Sequence, residues 1–407
     1  MQKPLFERLR AAPLTARVAS VDACVYFYRA ATFLGWVQPE GLGQVQRWAY
    51  SLWTCTTMLL GLLYLPLGLT LTFAVHFDMF GPSEFLSSVQ VDINCIGNVI
   101  KACVTYSQMW RMRRINEMIA PLDERCVTLN QRQILHTMVA RANLIIMFFL
   151  SVYVGFTTTT LFASLYAGQA PWQLYNPLVD WRQGTRQLWL ASLFEYFVIG
   201  IAITQELLSD TYPIVFLSMF RAHLAILKDR MAHLRCNPEL SERQNYQQLV
   251  DCIKDYRTIL HCCELIRPTL SATIFAQFML IGILVGLAAV NILFFTTSLG
   301  MAMSNVIFIA AICTESFPLC MTCELLIADC ESLAFAIFHS HWVDAEGRYK
   351  SAIIYFLHRV QQPIQFWAGA IFPISVQSNI TVAKFAFSII TIVNQMNLAE
   401  RFRKESI

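Results

Sequence analysis

Two groups of side chains in this chain have the types and spacing of metal ligands. Cys320 and Cys323 are three positions apart, and His339, His341 and Asp344 lie close together further along. A structural zinc site needs four ligands, whereas the two cysteines lie in an apolar segment with no second pair nearby. The histidines fit a solvated loop better. We predict no metal, no cofactor and no enzyme, since the sequence also has no P-loop, nucleophile elbow or dinucleotide fingerprint.

The last apolar stretch carries polar side chains that indicate a different chemistry. Segment 361–396 keeps Ser, Thr, Asn and Gln residues and one lysine, Lys384, within a long hydrophobic run. Unsatisfied polar groups in hydrocarbon are costly, so such a helix is suited to facing water. This pattern predicts a pore-lining helix. The sequon at Asn379 lies in its inner or membrane part, so we expect it to be unused.

The composition is that of a multi-pass membrane protein. Of 407 residues, 56% are hydrophobic and 14% are charged, against about a quarter charged in soluble domains. The net charge of +3 is small and the basic residues are dispersed, which argues against a nucleic-acid partner. Most of the 13 cysteines lie in spans or basic loops, so we expect free thiols. The first long hydrophobic segment starts near Trp48, and we expect it to serve as its own insertion signal.

Seven apolar stretches reach the roughly 20 residues that a helix needs to cross the bilayer. In chain order they are 48–75, 86–109, 142–166, 188–218, 268–297, 303–328 and 369–397. Lys and Arg, which are retained on the cytoplasmic side, concentrate in the N-terminal segment 1–47, the second-to-third loop and the fourth-to-fifth loop 221–267. The sequence therefore predicts an all-α, seven-helix domain with a cytosolic N-terminus and an extracellular C-terminus.

The long loop 221–267 has helical periodicity rather than the composition of a disordered linker. Leu224, Leu227, Met231 and Leu234 recur at helical spacing. We expect the fourth and fifth helices to continue into the cytosol as an antiparallel pair, with a further amphipathic helix at 349–362. These helices either pack within one subunit or form a subunit contact.

Polar and charged residues inside the spans need partners, because an unpaired charge at the helix centre costs about 2.5–3.5 kcal/mol on insertion scales. Glu195 and Glu206 lie three helical turns apart on one side of the fourth span. A polar stripe on the second span consists of Asn94, Asn98, Lys101 and Thr105. A ligand vestibule, an interhelical salt bridge and a structural hydrogen-bond network all fit these positions.

The architecture and the last helix together resemble a known family. Residues 383–391 read AKFAFSIIT, which is similar to the loosely kept Lys, Ser and Thr pattern in the last helix of insect odorant receptors. The architectural resemblance covers the whole chain, whereas the sequence signature is confined to its end. The family's co-receptor has a much longer fourth-to-fifth loop, so this chain resembles a tuning subunit.

The resemblance implies a function and a set of partners. It implies an odorant-gated, non-selective cation channel in the plasma membrane of the olfactory neuron's dendrite. Its partners would be odorant molecules, membrane lipid and a common co-receptor within a heterotetramer. The family places an apolar constriction and a glutamine ring near the end of the last helix. The matching residues are Ile392 and Gln395, and Thr391 and Ser388 complete that helical face. The alternative is that these four residues only pack against neighbouring helices.

The resemblance also places an odorant pocket among the outer halves of the second to sixth helices. Such a cavity needs aromatic walls and a few polar groups. The candidates with this character are Asp92, Ile96, Tyr153, Phe156, Thr157, Thr160, Phe194, Phe197 and Ile201. The alternative for each of them is ordinary helix packing.

Three other function classes remain open. A gustatory receptor shares the architecture, but its usual Thr-Tyr-x-x-x-x-x-Gln-Phe signature is absent. A G-protein-coupled receptor has the reverse topology, and no Asp-Arg-Tyr follows the third span. A secondary transporter is expected to show internally repeated halves, which we do not find.

Overall fold

The structure is a computed structural model, and it describes residues 8–77, 80–296 and 299–382 together with Lys384 and Ser388. The chain folds as a bundle of long helices, as predicted. The α-helices are α1 Val25–Phe33, α2 Gln44–Met58, α3 Leu65–His76, α4 Pro82–Ser107, α5 Met109–Glu124, α6 Leu129–Tyr166, α7 Thr185–Ala232, α8 Glu242–Val290, α9 Leu299–Phe338 and α10 Gly347–Val360.

Shorter elements complete the described part of the chain. π-Helical turns at Leu59–Tyr64 and Asn291–Phe295 join α2 to α3 and extend α8, and 3-10 helices lie at Ser20–Cys24 and Trp181–Gln183. The strands β1 Trp367–Ala368 and β2 Phe372–Pro373 pair antiparallel. A further helical stretch, at 376–382, lies within the last predicted span.

Five helical stretches within the described residues are long and apolar enough to cross a membrane. They are Gln44–Val75, Leu129–Tyr166, Thr185–Ala232, Glu242–Phe295 and Asn305–Phe338. Helix α4 has 26 residues, which is also sufficient, but its apolar character is diluted by buried polar side chains. These stretches and α4 correspond to the first six predicted spans. The seventh was predicted to start at residue 369, but residues 369–375 form the turn and second strand of the β1–β2 hairpin, and helix starts only at 376. Gly369 and Ala370 adopt positive φ angles, which an α-helix does not contain.

Several helices run well beyond their predicted spans into polar sequence. Helix α6 starts at Leu129, where the Thr128 hydroxyl accepts a hydrogen bond from the Gln131 amide. Helices α7 and α8 continue through most of 221–267 and are separated only by residues 233–241, so this loop is helical as expected. The Arg235 guanidinium pairs with Glu242 across that turn, with a second hydrogen bond of 2.7 Å.

Helix α7 lies at the centre of the bundle, in contact with α4, α6, α8 and α9. Helix α4 packs closely against α8 at Gly97, where a Cβ atom would lie 2.3 Å from a methyl carbon of Leu280. Helix α10 buries Ile353, Phe356 and Val360 against the core, which agrees with its predicted amphipathic face. This packing places parts of α4, α6, α8 and α9 around the middle of α7.

Candidate functional site

A buried ion pair lies where α4 meets α7. The Lys101 ammonium is 2.9 Å from Asp210 Oδ1, and the two side chains are only 1% and 6% exposed. The Tyr153 hydroxyl of α6 donates to the other Asp210 oxygen at 2.8 Å. Because charges are rarely buried unless they are paired and hydrogen-bonded, this arrangement fixes the relative positions of three helices.

The same lysine extends the network to two more helices. Lys101 Nζ donates to Gln277 Oε1 of α8 at 2.6 Å, and Gln277 Nε2 donates to Glu315 Oε2 of α9 at 2.8 Å. We call Lys101, Tyr153, Asp210, Gln277 and Glu315 the central network. It joins α4, α6, α7, α8 and α9 through side chains at the middle of the bundle.

Acidic groups outnumber basic ones around this network. Glu206 accepts a hydrogen bond of 2.8 Å from Asn98, and one oxygen each from Glu206, Asp210 and Glu315 lie within 4.8 Å of one another. Carboxylates so close would suit a hard cation, but Lys101 already supplies a positive charge at Asp210. The arrangement is an interhelical hydrogen-bond network with an ion pair, which confirms two of the three interpretations open for the polar stripe on α4.

The central network reaches the last helix through adjacent residues of α9. Asn379, in the helical stretch 376–382, donates its side-chain amide to Ser316 Oγ at 3.0 Å. One turn earlier, the Val376 amide donates to Glu324 Oε1 at 2.9 Å. Since Ser316 directly follows Glu315, the network and the last helix contact α9 at neighbouring positions. The Asn379 side chain is also buried, as an unused glycosylation sequon would be.

A buried carboxylate holds the loop between α6 and α7 against the bundle. Glu195 accepts hydrogen bonds of 2.8 Å from the backbone amides of both Trp172 and Leu174. The Thr72 and Tyr64 hydroxyls donate to backbone carbonyls of the same loop at 2.8 and 3.0 Å. Glu195 therefore has a structural partner of its own, separate from that of Glu206.

The predicted ligand-binding residues do not gather in one place. Thr157 and Ile201 are buried in the bundle, and Tyr153 belongs to the central network. Asp92, also buried, accepts from Thr70, while Phe194 contacts the Tyr64 ring edge-on at 5.7 Å. Thr160 is half-buried. The remaining side chains are exposed on the single chain, with fractions of 45% for Ile96, 57% for Phe156 and 42% for Phe197.

The predicted gate lies mostly beyond the part of the chain that the structure describes. Ser388 is helical and exposed, as is Lys384 one turn before it. Thr391, Ile392 and Gln395 lie outside the described residues. Their proposed roles therefore rest on the pattern of the sequence.

Three members of the central network were not predicted from the sequence, namely Asp210, Gln277 and Glu315. A signal for each was present, because an ionisable or amide side chain inside an apolar span indicates a partner or a functional site. Asp210 also follows Glu206 by four residues, which places both on one helix face. The sequence did not indicate which residue pairs with which.

Comparison with known proteins gives concordant results. A sequence family described as "7tm Odorant receptor" matches residues 81–387. The putative odorant receptor 59c of Drosophila melanogaster is 65% identical over 402 residues, which is 99% of this chain and 97% of that protein. Odorant receptor 59b of the same species is 46% identical, covering 98% of this chain and all of that protein. The family match confirms the seven-span class.

Solved structures with the same fold are those of an insect olfactory receptor. The olfactory receptor OR5 from Machilis hrabei superimposes with a TM-score of 0.70 over 92% of this chain and 99% of its own, at 15% identity. The same receptor in complex with eugenol gives a TM-score of 0.69 over 93% of this chain and 99% of its own. At this identity the likeness establishes the fold.

Proposed function

The chain belongs to the insect odorant receptor family, and we propose on this basis that it binds volatile small molecules and gates a non-selective cation channel together with a shared co-receptor. It is a multi-pass protein of the plasma membrane. Its family is one of receptors rather than enzymes, and its role is to convert ligand binding into a change in helix packing. The observation that carries this proposal is the central network, which connects the interior of the bundle to the last helix.

The odorant site lies in the outer half of the bundle, at the level of α6 and α7 above the central network. Thr157 is one turn from Tyr153 on the same face of α6, and its buried hydroxyl is suited to orient a small polar group of a ligand. Ile201 supplies apolar surface on α7. The proposal therefore concentrates on the buried candidates rather than on Phe156 and Phe197, which face outward on the single chain.

Coupling from this site to the pore passes through side chains that are already in contact. A ligand beside Tyr153 changes the position of the Tyr153 hydroxyl relative to Asp210. Lys101 and Gln277 shift in turn, and Gln277 moves Glu315 on α9. The Ser316–Asn379 hydrogen bond then transfers this movement to the last helix. Mutation of each link in turn measures this coupling.

The pore is formed by the last helices of four subunits. Ile392 closes it as part of an apolar ring, and Gln395 faces the conducted ions beside Ser388 and Thr391. The N-terminus and the helical extensions of α7 and α8 lie in the cytosol, and the C-terminus lies outside. The excess of Lys and Arg in the N-terminal segment and in 221–267 supports this orientation.

Recording from cells that express the chain with and without a co-receptor tests the proposal. A varied odorant panel should evoke a cation current only when both subunits are present. The same panel should give no current with the co-receptor alone. A current that depends on G-protein signalling, or none with any odorant despite surface expression of both subunits, would refute the proposed function.

A further inference from the structure

A basic groove runs along the surface between α8 and α10, away from the central network. Its volume is about 1020 Å³, and Met118 of α5 lies at its edge. The groove contains one acidic residue, Glu264. The basic side chains that line it are Lys254, Arg257, His261, His358 and Arg359.

The basic side chains occupy matched positions on the two helices. Lys254, Arg257 and His261 follow one another at helical spacing, so they share one face of α8. His358 and Arg359 lie in the last turn of α10, across the groove. Their side chains are exposed, so five potential donors to an anion line a single concave surface.

The positive charges of the groove are only weakly neutralised by the protein. Lys254 lies 3.5 Å from Asp251 but remains 62% exposed, and Arg359 donates to the neutral amide of Gln362 at 2.7 Å. Among the described residues, no hydrogen bond or ion pair is recorded for the Arg257 guanidinium. Two guanidinium groups therefore remain available to an external anion, whose oxygens they suit as planar double donors.

The floor of the groove contains an unused hydrogen-bonding group. The Tyr256 and Phe356 rings meet edge to face at 5.5 Å and connect α8 to α10. The buried Tyr256 hydroxyl has no hydrogen-bond partner among the described residues. A polar ligand that enters between the helices would supply that partner.

The groove lies close to where α8 enters its apolar segment. His261 precedes Pro268, the start of the predicted fifth span, by two helical turns, and Arg257 precedes it by three. The cytoplasmic leaflet carries anionic lipids, and basic pockets just inside the membrane bind their headgroups. We propose that this groove binds the phosphorylated inositol headgroup of an anionic lipid of the cytoplasmic leaflet. The proposal rests on the cytosolic placement of 221–267.

Such a lipid has a structural consequence for the channel. The headgroup phosphates contact Arg257 on α8 and Arg359 on α10 at once, so the bound lipid holds the two helices together. Helix α10 leads through the β1–β2 hairpin to the last helix. A bound headgroup therefore stabilises the end of α10 from which the last helix departs.

Titration of the purified full-length chain tests the site, with native mass spectrometry as the readout. The ligands are short-chain phosphatidylinositol bisphosphate, short-chain phosphatidylserine and soluble inositol trisphosphate. The test variant is Arg257→Gln with Arg359→Gln. The matched control is Arg113→Gln with Arg243→Gln, which removes two exposed arginines outside the groove. Thermal unfolding of each variant verifies that it is folded.

The wild type should bind phosphatidylinositol bisphosphate in preference to phosphatidylserine. Because each basic residue contributes about fivefold to binding at an anionic surface, the groove variant should bind about thirtyfold more weakly and the control variant as the wild type does. Equal losses in both variants, equal binding of the two lipids, or no loss in the groove variant would overturn the proposal. Soluble headgroup that binds as tightly as the lipid would overturn the lipid as its source.

If the groove variant instead fails to assemble with the co-receptor and keeps its lipid affinity, the groove is a subunit contact. If the groove variant is unfolded, Arg257→Lys with Arg359→Lys replaces it. This lysine variant should retain most of the lipid affinity, and complete loss of that affinity would contradict a charge-based site.

Discussion

The side-chain amide of Asn379 donates a 3.0 Å hydrogen bond to the Ser316 hydroxyl, which joins the start of the last helix to α9. Glu315, the residue before Ser316, accepts a 2.8 Å hydrogen bond from Gln277. The central network and the last helix therefore contact α9 at consecutive residues. A shift of α9 at this level moves the side chains that contact the central network and the last helix.

Breaking the Asn379–Ser316 contact should change gating rather than ligand recognition. A typical intramolecular hydrogen bond contributes about 0.5–1.5 kcal/mol, so Ser316→Ala and Asn379→Ala should each shift the half-maximal odorant concentration roughly threefold to tenfold. The double variant should show no further shift, because both changes remove the same bond. Dose–response recording with the co-receptor measures all three variants. The exposed neighbour variant Thr381→Ala is the control, and fully additive single effects would contradict a shared contact.

The buried Lys101–Asp210 pair should be sensitive to the loss of either partner. Removing one member leaves an uncompensated buried charge, which costs about 3–5 kcal/mol, so Lys101→Met and Asp210→Asn should each lower the thermal unfolding temperature of the purified chain. The double variant Lys101→Met with Asp210→Asn should lose less stability than the sum of the two single variants. Arg114→Gln, which removes an exposed pair with Glu117, should change stability by at most about 1 kcal/mol. Single variants as stable as Arg114→Gln would contradict a paired, buried charge.

The overall architecture was predictable from sequence because the bilayer restricts it strongly. Apolar stretches of sufficient length predicted the spans. The periodicity of Leu224, Leu227 and Met231 predicted that the helix of the fourth span continues beyond it. The polar stripe on α4 predicted interhelical hydrogen bonds, which the structure confirms for Asn98 and Lys101. The helix ends were less predictable. Helix α6 starts at Leu129, before the charged residues Arg132 and Arg141 that precede its predicted span.

The inward faces of the helices were not predictable from sequence, and the reason is physical. A membrane helix meets apolar surroundings on both its lipid side and its core side, so the hydrophobic pattern does not separate them. Spacing alone therefore placed Phe156 beside Thr157 in the candidate pocket. In the structure Phe156 is exposed and Thr157 is buried.

This difference between neighbouring residues predicts different effects on ligand selectivity. Thr157→Val removes a buried hydroxyl at nearly constant volume. That hydroxyl donates its hydrogen to the Tyr153 carbonyl at 2.6 Å, so it can only accept from a ligand, and the substitution should reorder the potencies of odorants that can donate a hydrogen bond. Phe156→Ala should leave the rank order unchanged, because its ring lies on the outer surface of the chain. Dose–response curves across a panel of apolar and polar odorants, at matched surface expression, measure both. The same rank order for Thr157→Val and wild type would remove Thr157 from the site.

The proposed orientation predicts which side of the membrane exposes Cys236. This thiol is exposed in the turn between α7 and α8. Burial raises the pKa of Cys252 to about 11 and that of Cys262 to about 12, so these neighbours hold little reactive thiolate at neutral pH. A membrane-impermeant maleimide should label Cys236 only after the cells are permeabilised. The variant Cys236→Ser identifies the signal that is specific to this thiol. Labelling of Cys236 in intact cells would place the turn outside.

In the proposed mechanism, odorant gates an ion channel directly, through the last helix of this chain. Recording from excised membrane patches without cytosolic nucleotide is the most direct test of this gating. Patches that contain the chain and a co-receptor should open on odorant application. Replacing Gln395 by lysine should lower the cation conductance, because it places positive charge beside the conducted ions, and Ile392→Ala should raise the current in the absence of odorant. An odorant response that disappears on excision, or a conductance, selectivity and basal current unchanged by both substitutions, would contradict the account.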